Sequence, residues 1–207
     1  MTERTEYLNK LIEWKDEQVI KVVTGIRRCG KSTLLELYAD YLRSTGVADE
    51  QIIFINFEDL ENEHLLDYKV LYKHICDRLC KDKYTYIFLD EIQKVENFEK
   101  AVDSLYIKKN TDIYMTGSNA YMLSGELATL LSGRYVEISM LPFSFKEYLE
   151  YHPSEDKASA LAAYMSDGGF PYISVMEHSK SKTDMYIEGI YLSLIHISEP
   201  TRHSLIS

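Results

Sequence analysis

The stretch Gly25-Ile26-Arg27-Arg28-Cys29-Gly30-Lys31-Ser32 satisfies G-x-x-x-x-G-K-[ST] at every fixed position. Its residue types suit the holding of a polyphosphate. Gly25 and Gly30 permit backbone torsions that turn successive amides, from Cys29 to Thr33, inward around phosphate oxygens, and a helix N-terminus adds its partial positive charge. Lys31 is expected to reach the β and γ phosphates, and the Ser32 hydroxyl to ligate Mg²⁺. The context is the required one, a strand over Ile20 to Thr24 running in and a helix from Ser32 onward running out. Arg27 and Arg28 read as solvated loop arginines and stay outside this assignment.

A second group is Tyr86-Ile87-Phe88-Leu89-Asp90-Glu91, an apolar run that ends in two carboxylates. In α/β sheets the carboxyl ends of strands are where ligands bind. Asp90 is placed to hold Mg²⁺ through its water shell, and Glu91 to polarise an attacking water as general base. A solvated acidic turn is the rival reading, which the complete phosphate loop upstream makes the weaker one. In Ile113-Tyr114-Met115-Thr116-Gly117-Ser118-Asn119, either Asn119 or Ser118 would face a γ phosphate if this strand lies between the two motif strands; the alternative is a helix N-cap, for which both residue types are suited. Arg134, in Leu130-Leu131-Ser132-Gly133-Arg134-Tyr135, has two open readings, a helix C-terminal cap and an arginine finger offered to a neighbouring subunit.

Positioning these groups requires a parallel sheet with crossover helices, an α/β architecture. The predicted strands are Val19 to Thr24, Ile52 to Phe57, Tyr86 to Asp90, Ile113 to Gly117 and Tyr135 to Ser139. Several are apolar throughout, as strands covered on both faces are. The predicted helices are Lys31 to Arg43, Tyr68 to Lys81, Phe98 to Lys108, Ala120 to Leu131, Phe145 to Tyr151 and Asp156 to Met165, with right-handed crossovers in the sheet. After Gly168-Gly169-Phe170-Pro171, a turn signal, the chain becomes rich in Ser and Lys.

Composition narrows the classes. The 207 residues carry 23 Lys+Arg against 33 Asp+Glu, a net charge of −10 that repels polyanions at long range, so nucleic acid is not supported as a partner and not excluded. No window approaches the roughly 18 apolar residues of a membrane span and the N-terminus lacks a signal-peptide core, so a cytoplasmic location without membrane contact is expected. Cys29, Cys76 and Cys80 read as free thiols. With His64 and His74 the latter two invite a zinc reading, which lacks a second cysteine pair; small core residues explain them better.

Assembled, the phrases GIRRCGKSTLL, FINFED, IFLDEIQKV, TGSNA, LLSGRYVEISMLPFSFKEYL and GGFPYI resemble the successive motifs of a prokaryotic AAA-type ATPase family whose AAA domain is joined to a C-terminal domain of unknown function. The likeness runs from Val19 to Ile173. It implies a P-loop NTPase three-layer sandwich with strand order 5-1-4-3-2 and ATP and Mg²⁺ as ligands. For the site it implies Lys31 and Ser32 at phosphate and metal, Asp90 and Glu91 as the metal and water pair, Asn119 as first sensor, and Arg134 as a finger that would join copies into a homo-oligomer. Gln93, within the DEIQ phrase, has no derivable role. Two departures stand out. No second arginine follows Arg134 closely, and none occurs between Arg134 and Arg202 to serve as a lid sensor.

The expected organisation is an ATP-binding core at 1–141, the start of a helical lid or C-terminal region at 142–191, and a tail at 192–207. The phrase from Leu192 to Arg202 resembles the translated read of a transposase-type sequencing adapter, in which case the natural frame ends near Tyr191; an ordinary terminal helix is the alternative. The leading functional expectation is a Mg²⁺-dependent ATPase whose nucleotide state switches an attached domain or partner. A nucleotide-gated scaffold with little turnover is the alternative. A small-molecule kinase would need an acceptor pocket that the sequence does not show, and no Asn-Lys-x-Asp phrase supports GTP.

Overall fold

The computed structural model describes residues 4–117, 131, 133–176 and 180–198. By internal contacts the chain divides into two compact units, Met1–Ile26 with Gly30–Leu141, and Arg27–Cys29 with Pro142–Ser207.

The first unit is built on strands β1 (Ile20–Gly25), β2 (Ile52–Asn56), β3 (Thr85–Asp90), β4 (Thr111–Thr116) and β5 (Tyr135–Met140), all parallel, in the order β2-β3-β4-β1-β5. Read from the other edge this is 5-1-4-3-2, so the P-loop NTPase fold and order expected from the family resemblance are those observed. The central strands β1 and β3 are buried along their whole length, which is why they read as continuous apolar runs rather than alternating ones. The register places Leu89 beside Met115 and Val23 beside Thr116, so β3, β4 and β1 end together at one edge of the sheet.

The helices of this unit are α1 (Thr5–Glu13), α2 (Lys31–Ser44), α3 (Tyr68–Cys76) and α4 (Phe98–Tyr106). In α2 the buried Leu34, Leu35, Tyr38, Ala39 and Leu42 form one apolar stripe at helical spacing, and in α4 Phe98, Ala101, Val102 and Leu105 do the same. Helix α3 is capped by Asp67, whose carboxylate accepts from the amides of Lys69 and Val70. It stops at Cys76 rather than Lys81, because the Cys80 amide donates to Thr85 Oγ1 at 3.0 Å instead of continuing the helical ladder. The predicted helix over Ala120 to Leu131, with Ser118 and Asn119 before it, lies outside the described residues apart from Leu131.

The second unit carries α5 (Phe145–Tyr151), α6 (Lys157–Asp167), α7 (Pro171–Val175) and α8 (Lys180–Ser198). Ser144 and Glu147 form a capping box at the start of α5. Gly169 is required where it stands: the Phe143 amide donates to its carbonyl at 2.6 Å, and a Cβ there would collide with the Phe143 carbonyl. Among the described residues no helix is long and apolar enough to cross a membrane.

Candidate functional site

The loop between β1 and α2 turns through two left-handed residues, Arg28 at φ 65° and Gly30 at φ 99°. Gly30 is the N-cap of α2, no side chain among the described residues caps that end, and no acidic residue lies in its first turn. The first amides and the positive end of the helix dipole are therefore left for an anion. Cys29 is fully buried, while Ser32 and Thr33 are half-buried on the first turn. Lys31 is only 4% exposed. Its ammonium makes long hydrogen bonds to the carbonyls of Gly25 at 3.2 Å and Ile26 at 3.3 Å, and stands 3.8 Å from Glu91 Oε1.

At the end of β3, Asp90 is buried and accepts a hydrogen bond of 2.5 Å from Thr116 Oγ1 at the end of β4. The same hydroxyl accepts the Glu91 amide at 2.9 Å. One threonine thus fixes the direction of the Asp90 carboxylate and the backbone that presents Glu91. Glu91 is itself left-handed, at φ 56°, a strained conformation for a side-chain-bearing residue and of a kind that concentrates at functional sites. Its carboxylate Oε2 accepts the side-chain amide of Gln93. Lys31, Asp90 and Glu91 are therefore brought together at one edge of the sheet.

Arg134 is not brought to them. The Ile20 amide donates to its carbonyl at 2.9 Å, which fixes it at the opposite end of β1. Its guanidinium lies 5.5 Å over the Tyr106 ring and 3.5 Å from Asp103 Oδ1, both on α4. At about 3.3 Å per strand residue, the length of β1 separates it from the loop of its own chain. Thr116 and Gln93 are the members that sequence reasoning left without a role. Their signal is the register between β3 and β4 and the reversal at Glu91, not a spacing. The invited zinc residues have other company: His74 faces Arg78 at 3.4 Å, and burial, then the Arg78 charge, holds its pKa below the usual histidine value.

Residues 17–149 match the model of a family described as an AAA domain. The chain belongs to that family. This AAA domain chain is 43% identical to an uncharacterized protein of Haemophilus influenzae, over 94% of the chain and 50% of that protein. It is 30% identical to one of Methanocaldococcus jannaschii, over 92% of the chain and 45% of that protein. The chain thus spans about half the length of the curated relatives it matches. Among solved structures it resembles a Walker-type ATPase of Pyrococcus abyssi, with TM-score 0.59 and 18% identity over 95% of this chain and 74% of the other. It also resembles AMPPCP-bound DnaA of Aquifex aeolicus, with TM-score 0.52 and 14% identity over 95% and 64%. At these identities the likeness is one of fold, here the α/β fold of P-loop ATPases.

Proposed function

We propose that this AAA domain binds ATP with Mg²⁺ and hydrolyses its β–γ bond, and that the nucleotide state drives a switch in an attached domain or partner. The observation that carries the reading is the Lys31 ammonium, buried yet held, among the described residues, by long bonds to two loop carbonyls and a carboxylate oxygen of Glu91 3.8 Å away. A buried cation so weakly satisfied is poised for a stronger anionic partner. The uncapped α2 terminus and the amides from Cys29 to Thr33 suit the phosphates as the second half of that donor set.

In this reading Lys31 draws the β and γ oxygens, and Ser32 and Asp90 hold the metal. Mg²⁺ supplies charge neutralisation on the phosphate oxygens. Glu91 accepts a proton from the attacking water; the water oxygen bonds to the γ phosphorus, the bond to the bridging oxygen breaks, and ADP leaves with that electron pair. Asn119 as γ-phosphate sensor and Arg134 as a finger toward a second copy belong to the same proposal. Arg134 would first have to leave Asp103 and Tyr106. The family fold and the nucleotide analogue on a structural neighbour support the ligand class.

Phosphate release from Mg-ATP by this chain tests the reading. Turnover that falls at least 100-fold in Glu91→Gln while ATP stays bound is the expected result, with Lys31→Ala losing binding and Asp90→Ala losing metal dependence. ATP binding without Glu91-dependent turnover would favour the scaffold alternative, and normal binding and hydrolysis in all three variants would sink the site.

A further inference from the structure

Gln93 lies in the turn Ile92–Lys94 that follows Glu91, and the turn is anchored by Ile92 and Val95, both buried in the core. The left-handed Glu91 reverses the chain there, so that side chains two positions apart meet. Gln93 Nε2 donates to Glu91 Oε2. An ionised carboxylate only accepts, so the bond also fixes which end of the amide faces Glu91. The remaining atom, Gln93 Oε1, is buried and has no hydrogen-bond partner among the described residues. Such acceptors are rare because leaving them unpaired costs free energy.

Glu91 Oε1 faces the other way, toward Lys31 Nζ at 3.8 Å. If Lys31 serves the phosphates, Glu91 loses that cation as nucleotide arrives. A glutamate with three free torsions would then have to be held by something else, and Gln93 is the side chain already on it. We infer that Gln93 is the positioning residue for Glu91: its amide nitrogen pins one carboxylate oxygen so that the other stays aimed at the incoming water, and its Oε1 offers an acceptor beside that carboxylate. The inference rests on Glu91 being the general base.

The test uses Gln93→Met, similar in length but without a donor and with only a weakly accepting sulfur, beside Glu91→Gln and the double variant. Equilibrium binding of ADP and of ADP with aluminium fluoride, a mimic of the transferring phosphoryl group, is measured in Mg²⁺ by displacement of a fluorescent ADP. Gln93→Met is expected to bind ADP within twofold of the parent and the aluminium fluoride complex at least tenfold more weakly. Single-turnover phosphate release should fall at least tenfold, with no further loss when the change is added to Glu91→Gln. An equal loss for both ligands, or a loss that multiplies with that of Glu91→Gln, overturns the positioning role and leaves a merely structural turn. If Glu91→Gln weakens the mimic and Gln93→Met does not, the Gln93 assignment alone fails. If Glu91→Gln changes neither binding nor turnover, or the parent binds neither ligand, the underlying reading of the site fails first.

Discussion

Two buried lysines lie at opposite ends of the same sheet and are treated in opposite ways. Lys21, near the start of β1, is fully buried and paired with Asp112 on β4, and it donates to the Glu17 carbonyl at 2.7 Å. Asp112 is saturated in turn, accepting from the Asp16 amide at 2.9 Å and the Tyr114 hydroxyl at 2.7 Å, with Tyr38 closing the chain 3.0 Å beyond. Lys31, at the other end, has longer bonds and a carboxylate at 3.8 Å. A closed network rigidifies a core, whereas an under-satisfied one has interaction energy in reserve for a ligand. The contrast sets the two lysines apart in packing alone, and it supports the role proposed for Lys31 without reference to any motif.

Breaking the closed end should have the largest effect on folding. Asp112→Ala leaves Lys21 buried and unpaired and is expected to cost about 3–5 kcal/mol in urea unfolding; a loss under 1 kcal/mol would erase the distinction between the two ends. Lys31→Met should do the reverse, lowering ATP affinity by about 100-fold, or about 2.7 kcal/mol, with no loss of folding stability. A large drop in stability there would mean that Lys31 is structural after all. Thr116→Val, nearly isosteric, deprives Asp90 of a donor and the Glu91 amide of an acceptor, for an expected cost of about 1–3 kcal/mol. A weaker apparent affinity for Mg²⁺ should accompany it.

The smallest effect is in pH. Burial raises Asp112 above its ordinary 3.8 against the opposing pull of Lys21, and burial lowers Lys21 below 10.5 against that of Asp112. From pH 3.8 up to the raised value, the unfolded carboxyl ionises while the folded one holds its proton, so stability falls as pH rises. From the lowered lysine value up to 10.5, the unfolded chain holds the proton, so stability rises with pH. Relative to a Lys21→Met/Asp112→Leu variant, the parent should therefore pass through a shallow minimum between the raised carboxyl value and the lowered lysine value. A flat difference would mean that the pair is not strained by its burial.

The strands were legible to within two residues because parallel, doubly covered strands are near-continuous apolar runs, and α2 and α4 because their buried stripes keep helical spacing. Helix α1 was not, since it buries only Leu11. Helix α8 follows a Ser- and Lys-rich start and has no strong apolar face, so its sequence resembles a polar connector. The overrun of α3 to Lys81 came from a hydrogen bond to Thr85 that no periodicity encodes. At the site, the loop and the Asp90-Glu91 pair are spacing signals and stood out. Thr116 and Gln93 act through register and one left-handed residue, which only folded geometry reveals.

The strand order has a consequence for how the chain is made. β1 leaves the ribosome before both of its neighbours in the sheet, and Gly25 finds its register partner only in Met140. At typical elongation rates the wait is on the order of ten seconds. During that interval Ile20, Val22 and Val23 have no permanent cover, and the glycine loop has no frame to bend it. A nascent chain stalled before β5 would carry every loop residue and still lack the completed sheet around β1, so the ability to retain ATP would mark the end of synthesis of this unit.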